Sequence, residues 1–70
     1  MNTFSLEGRP FIALNNLLKI EGMAESGASA KQAVADGMVK VNGEVELRKR
    51  CKITAGQVVE FRGQKVAVVD

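Results

Sequence analysis

Seventy residues with 46% apolar content make one small domain, close to the lower size at which a single core suffices without staples. Such a core has little depth for a buried catalytic pocket, and the lone cysteine excludes an internal disulfide. The formal charge is only +2, but it is unevenly spread: residues 1–37 hold three Lys/Arg against four Asp/Glu, and residues 38–70 hold seven against four.

Taken in chain order, Thr3-Phe4-Ser5-Leu6 alternates polar and apolar and reads as a short strand closed by Gly8. Pro10 suits the first turn of a helix, where its missing N–H is no loss. Phe11, Leu14, Leu17 and Leu18 follow helical spacing, and Gly22 supplies the left-handed residue that ends such a helix. Ser26 or Ser29 caps a second helix with a narrow stripe of Ala30, Ala33 and Val34, and Gly37 ends it.

From Met38 the period changes to alternation. Asn42-Gly43 is the strongest short hairpin signal, since both residues tolerate positive φ. Val39 and Val41 are expected inward, and Val45 and Leu47 are expected to resume that face with Glu44 and Glu46 outward. Cys51 and Ile53 point inward by the same count, with Arg50 and Lys52 outward. Continuing by twos from Leu47 would bury Lys49, too costly for an unpaired ammonium. A bend is therefore expected near Lys49, making Arg48 to Arg50 a protruding loop. Ala55-Gly56 is a turn, and Val58 to Phe61 and Val66 to Val69 read as a terminal hairpin through Arg62-Gly63-Gln64. The expected fold is α+β: two helices packed on a small antiparallel sheet of four to five strands, one domain over residues 1–70.

The chain has no histidine, which removes the commonest general base and the commonest zinc ligand. Cys51 without His lacks the usual partner for thiol catalysis, and Glu44 with Glu46 reads as a solvated face. Neither an enzyme, nor a cofactor, nor a metal is expected. There is no Trp or Tyr, and Phe4, Phe11 and Phe61 fall in apolar patterns expected in the core. An aromatic platform for splayed bases is therefore not expected, which favours folded RNA over an unstructured strand.

Arg48, Lys49, Arg50 and Lys52 form a dense cationic cluster. Guanidinium groups bind phosphate bidentately, and lysines act as mobile point charges. Lys40, just after the second helix, and Lys31, on its exposed side, are expected to extend the patch. The competing reading is solubility and protection of a strand edge. The lone cysteine, with neither a leader-like start nor a long apolar run, suggests the cytoplasm and no membrane contact.

The combination of a leucine-rich helix ending in glycine (Leu14, Leu17, Leu18, Gly22), a helix with small and basic residues (Ser26 to Asp36), and Gly37 followed by Val39, Val41, Asn42 and Gly43 resembles the S-four RNA-binding domain family, or αL motif. Gly56 before Val58-Val59 completes the likeness, which runs from Phe11 to Val69. The compact form is similar to the family's stand-alone bacterial members. The resemblance implies a non-enzymatic monomer that binds structured RNA, ribosomal or transfer RNA-like, through the second helix and adjacent hairpin. Lys31, Lys40, Arg48, Lys49, Arg50 and Lys52 would make the contacts, with the ribosome a candidate partner. Two positions depart from the family pattern: Gly27 stands where many members have Arg, and Gly56-Gln57 where Gly-Asp is usual. The alternative from another class is a protein-interaction module docking an acidic surface of a ribosome-associated or translation factor.

Overall fold

The computed structural model describes residues 2–70. Its elements run β1 (Asn2–Ser5), β2 (Ile12–Ala13), α1 (Leu14–Ile20), α2 (Gly27–Ala35), β3 (Val39–Val41), β4 (Glu44–Val45), β5 (Lys52–Ile53), β6 (Val58–Phe61) and β7 (Gln64–Val69). One sheet has the order β1-β7-β6-β3-β4, and β2 pairs with β5 in a second ribbon. The fold is α+β, with two helices and a five-stranded sheet. The sheet is mixed: β7, β6, β3 and β4 are antiparallel, whereas β1 joins β7 in parallel.

Directly opposed residues share a face, so the register defines two sides. Val39, Val59, Phe61, Val66, Val68 and Phe4 lie on the inner side and are buried with Leu14, Leu17, Leu18, Ala30, Ala33 and Val34 of the helices. The outer side carries a row in which Lys40 opposes Glu60 and Glu60 opposes Lys65.

Both helices end as the glycines predict. Gly22 (φ +72°) and Gly37 (φ +74°) take left-handed backbone. The N–H groups of Met23 and Met38 reach back to the carbonyls of Leu18 and Ala33, closing a Schellman motif each time. Ser26 is the cap of α2, its hydroxyl accepting from the Ser29 N–H at 3.1 Å.

Four expectations fail, three of them through strand pairing. The first helix starts at Leu14, not Pro10, because Ala13 is extended (φ −68°, ψ 140°) and is drawn with Ile12 into pairing with Lys52 and Ile53. Phe11 consequently leaves the core and is 39% exposed. Val45 and Leu47 are 53% and 62% exposed, not inward. The Asn42-Gly43 loop has two residues, so Val41 opposes Glu44, and Val45 opposes the outward Lys40. A two-residue turn thus shifts the apolar alternation by one position across the hairpin. Cys51, expected inward, is only half-buried against the core edge. In the last hairpin Gln64 is a strand residue, and the turn is Arg62-Gly63, both at positive φ.

Candidate nucleic-acid interface

The basic cluster is held by backbone contacts to the first helix. The opening N–H groups of a helix have no partner within it, and α1 lacks a side-chain cap. Leu14 N–H instead donates to the Cys51 carbonyl at 2.9 Å and Asn15 N–H to the Lys49 carbonyl at 3.0 Å. The turn itself closes through Cys51 N–H to the Arg48 carbonyl at 3.0 Å. The Ile12–Ile53 pair, both buried, anchors the other side. The main chain carrying the cations is thus tied to α1 and the core at three points.

Arg48, Lys49, Arg50 and Lys52 are all exposed, as the expected bend at Lys49 requires. Arg48, Arg50 and Lys52 line an open hollow of about 400 Å³ together with Cys51. An adjoining hollow brings Arg48 and Lys52 alongside Val41, Asn42 and Glu44 of the first hairpin. That hairpin is fixed by its tip: Asn42 N–H donates to the Val58 carbonyl at 2.8 Å, and Val58 N–H donates to Asn42 Oδ1 at 2.9 Å.

The other two candidates lie elsewhere. Lys40 projects from the outer side of β3, opposite Glu60 and away from the side on which Val41 borders the hollow. Lys31 is half-buried on α2 and lines neither of these two hollows. The structure therefore gathers four of the six cations.

Two side chains placed otherwise by the sequence, Glu46 by alternation and Phe11 by helical spacing, shape this surface. Glu46 accepts from the Arg48 backbone N–H (3.0 Å), Nε (3.0 Å) and Nη2 (3.2 Å), the one ion pair among the described residues. These hydrogen bonds, side chain first and backbone second, lower the Glu46 carboxyl from 4.5 to about 2. Glu46 in turn raises Arg48, which stays charged throughout. Arg48 Nη2 also lies 3.7 Å from Cys51 Sγ. Burial, then the neighbouring Glu46, pushes the Cys51 thiol up, which keeps it protonated near neutral pH. The second side chain is Phe11, whose ring has Lys52 Nζ 5.0 Å from its centroid. The signal for it lay in the sequence: a helix beginning at Pro10 would place Arg9 at the cap, where Ser, Thr, Asp or Asn is preferred.

Among the described residues no group of three His, Cys, Asp or Glu side chains could hold a metal ion, and no helix is long and apolar enough to cross a membrane.

Comparison with known proteins agrees with this architecture. YbcJ of Escherichia coli (strain K12) is 61% identical over 69 residues, spanning 99% of this chain and 99% of that protein. YbcJ of Shigella flexneri matches to the same extent. The solution structure of YbcJ from E. coli, described as revealing an αL motif involved in RNA-binding, aligns with a TM-score of 0.77 at 60% identity, covering 100% of this chain and 89% of that one. The 30S ribosomal protein S4e of Thermoplasma acidophilum shares the fold, with a TM-score of 0.62 at 21% identity over 81% of this chain and 30% of its own. Residues 4–69 match the family model of the S4 domain, and with it the chain belongs to the S4 domain family.

Proposed function

We propose that this chain is a non-enzymatic RNA-binding protein that grips the ribose-phosphate backbone of a structured RNA with the turn between β4 and β5. The observation that carries the reading is the convergence of Arg48, Arg50 and Lys52 on one hollow, with Lys49 projecting from the same turn. Lys49, Arg50 and Lys52 have no carboxylate partner among the described residues, so their charge is available to phosphates. The αL motif of the E. coli relative, described as involved in RNA-binding, supports the same reading. Lys31 and Lys40 lie off this surface and contribute only longer-range charge. A structured ribosomal or transfer RNA, free or within a ribosomal subunit, is the partner class. Filter binding to ribosomal RNA and transfer RNA, with heparin and an acidic polypeptide as controls, tests the reading. RNA is expected to be retained in preference to both controls. Equal retention of the acidic polypeptide would instead support docking on an acidic protein.

A further inference from the structure

We propose that Phe11 is a stacking surface for one unpaired nucleobase, whose flanking phosphates are gripped by Lys49, Arg50 and Lys52. This inference rests on the RNA-binding reading and deepens it, naming an interrupted helix as the preferred target over a uniformly paired one.

The placement follows from the β2–β5 register. Ile12 opposes Ile53, and both are buried at 5% and 0% exposure. Ala13 opposes Lys52, so these two share the opposite, outward face. Phe11, two residues before Ala13, falls on that same face and sits diagonal to Lys52, a spacing that long and aromatic side chains bridge. The ring and the ammonium do meet, at 5.0 Å. The other two phenylalanines differ: Phe4 and Phe61 are 9% and 3% exposed and belong to the core. Phe11 is the exposed aromatic ring among the described residues, and it stands beside the densest cationic segment of the chain.

An apolar ring left in water is unfavourable, and the ammonium that lies over it is easily exchanged. A cation over an exposed ring is held weakly, whereas a phosphate attracts the same ammonium strongly. When a phosphate draws Lys52 off the ring, its face becomes free for a base. Every nucleobase has a π-face, so the contact is tolerant of sequence. A single ring takes a single base, which fits a bulge or a loop nucleotide and not a long single strand. A fully paired helix keeps its bases stacked inside and offers nothing to this ring.

The test compares two short RNA hairpins, one fully paired and one carrying a bulged fluorescent adenine analogue, against the wild type and the variants Phe11→Ala, Phe11→Leu and Phe11→Trp. Thermal unfolding of each variant verifies the fold. Phe11→Ala and Phe11→Leu are each expected to weaken binding of the bulged hairpin about tenfold, while the paired hairpin changes by less than about twofold. The slope of affinity against salt stays as in the wild type, because no phosphate contact is lost. Phe11→Trp retains the preference, and the analogue's fluorescence is quenched in the wild-type and Trp complexes only. Restoration of binding by Leu would overturn the proposal, since Leu supplies apolar cover without a π-face. So would equal losses on both hairpins, or none on either. If the wild type binds neither hairpin, the RNA-binding reading itself falls; if it binds both alike whatever stands at position 11, only the stacking falls.

Discussion

The pairing of Arg48 with Glu46 makes the four clustered cations unequal, and salt dependence measures the inequality. Each phosphate neutralised on a duplex contributes about 0.9 to the slope of log K against log salt. If Lys49, Arg50 and Lys52 bind phosphates while Arg48 remains with Glu46, the slope is about −2.7; with all four engaged it is about −3.6. Over a fourfold rise in salt these correspond to losses of about 40-fold and about 150-fold, which a binding titration separates readily. Arg50→Ala is expected to reduce the slope by about 0.9, Arg48→Ala to leave it nearly unchanged, and Glu46→Gln to steepen it by up to about 0.9 as the freed guanidinium joins the contact. Fluorescence anisotropy with a labelled RNA hairpin from low to moderate salt gives all three values. Identical slope changes for Arg48→Ala and Arg50→Ala would refute the argument, because the Glu46 pair would then open on binding. A slope near zero for the wild type would refute backbone contact altogether.

Three further outcomes bear on the architecture. The Glu46 carboxyl is lower in the folded state (about 2) than its ordinary 4.5, so the stability it confers is fully present above pH 4.5 and is lost as pH falls toward 2. The stability gap between wild type and Glu46→Gln, read by urea unfolding, should narrow over that window, and a gap that ignores pH there would show the pair to be inert. Gly37→Ala should cost about 1–2 kcal/mol, because a Cβ meets only ordinary contacts at 3.7 Å to Leu47 and Val45 while the backbone sits at φ +74°. An unchanged denaturation midpoint would mean that α2 does not end in the left-handed turn. Val45→Thr and Leu47→Ser should each alter stability by no more than about 0.5 kcal/mol in thermal melts, as exposed positions do. A loss of the size expected for a buried leucine would place them in the core after all.

Much of this molecule was legible because local chemistry and tertiary demand agree. Gly22 and Gly37 mark helix ends that any packing would need, and Asn42-Gly43 specifies a hairpin by backbone geometry alone. The cost of burying Lys49 was enough to infer the bend that exposes the basic turn. What stayed hidden depends on strand pairing, distant in one case and set by turn length in the other. The extended conformation at Ile12 and Ala13 exists because Lys52 and Ile53 lie beside them, which a period of three to four residues around Leu14 cannot reveal. The outward turn of Val45 follows from turn length, a rule available in the sequence but outweighed by the attraction of counting apolar residues inward. The Glu46–Arg48 pair has no pattern of its own, and the exposure of Phe11 has only the unsuitable cap at Arg9; each results from one of these two displacements.

The parallel seam between β1 and β7 governs when this protein becomes whole. Ser5 Oγ donates to the Asp70 carbonyl across 65 positions of chain, and β1 has no other strand beside it. During synthesis Phe4 and Leu6 precede by some sixty residues their partners across the seam, Val68 beside Phe4 and the Val69 carbonyl that accepts from the Leu6 N–H. The helices and the Asn42-Gly43 hairpin are short-range structures, whereas the seam joins the two ends of the described chain and closes a long loop. A nascent chain stalled before Gln64 would leave both β1 and β6 without the strand that lies between them, and the core without Val66 and Val68.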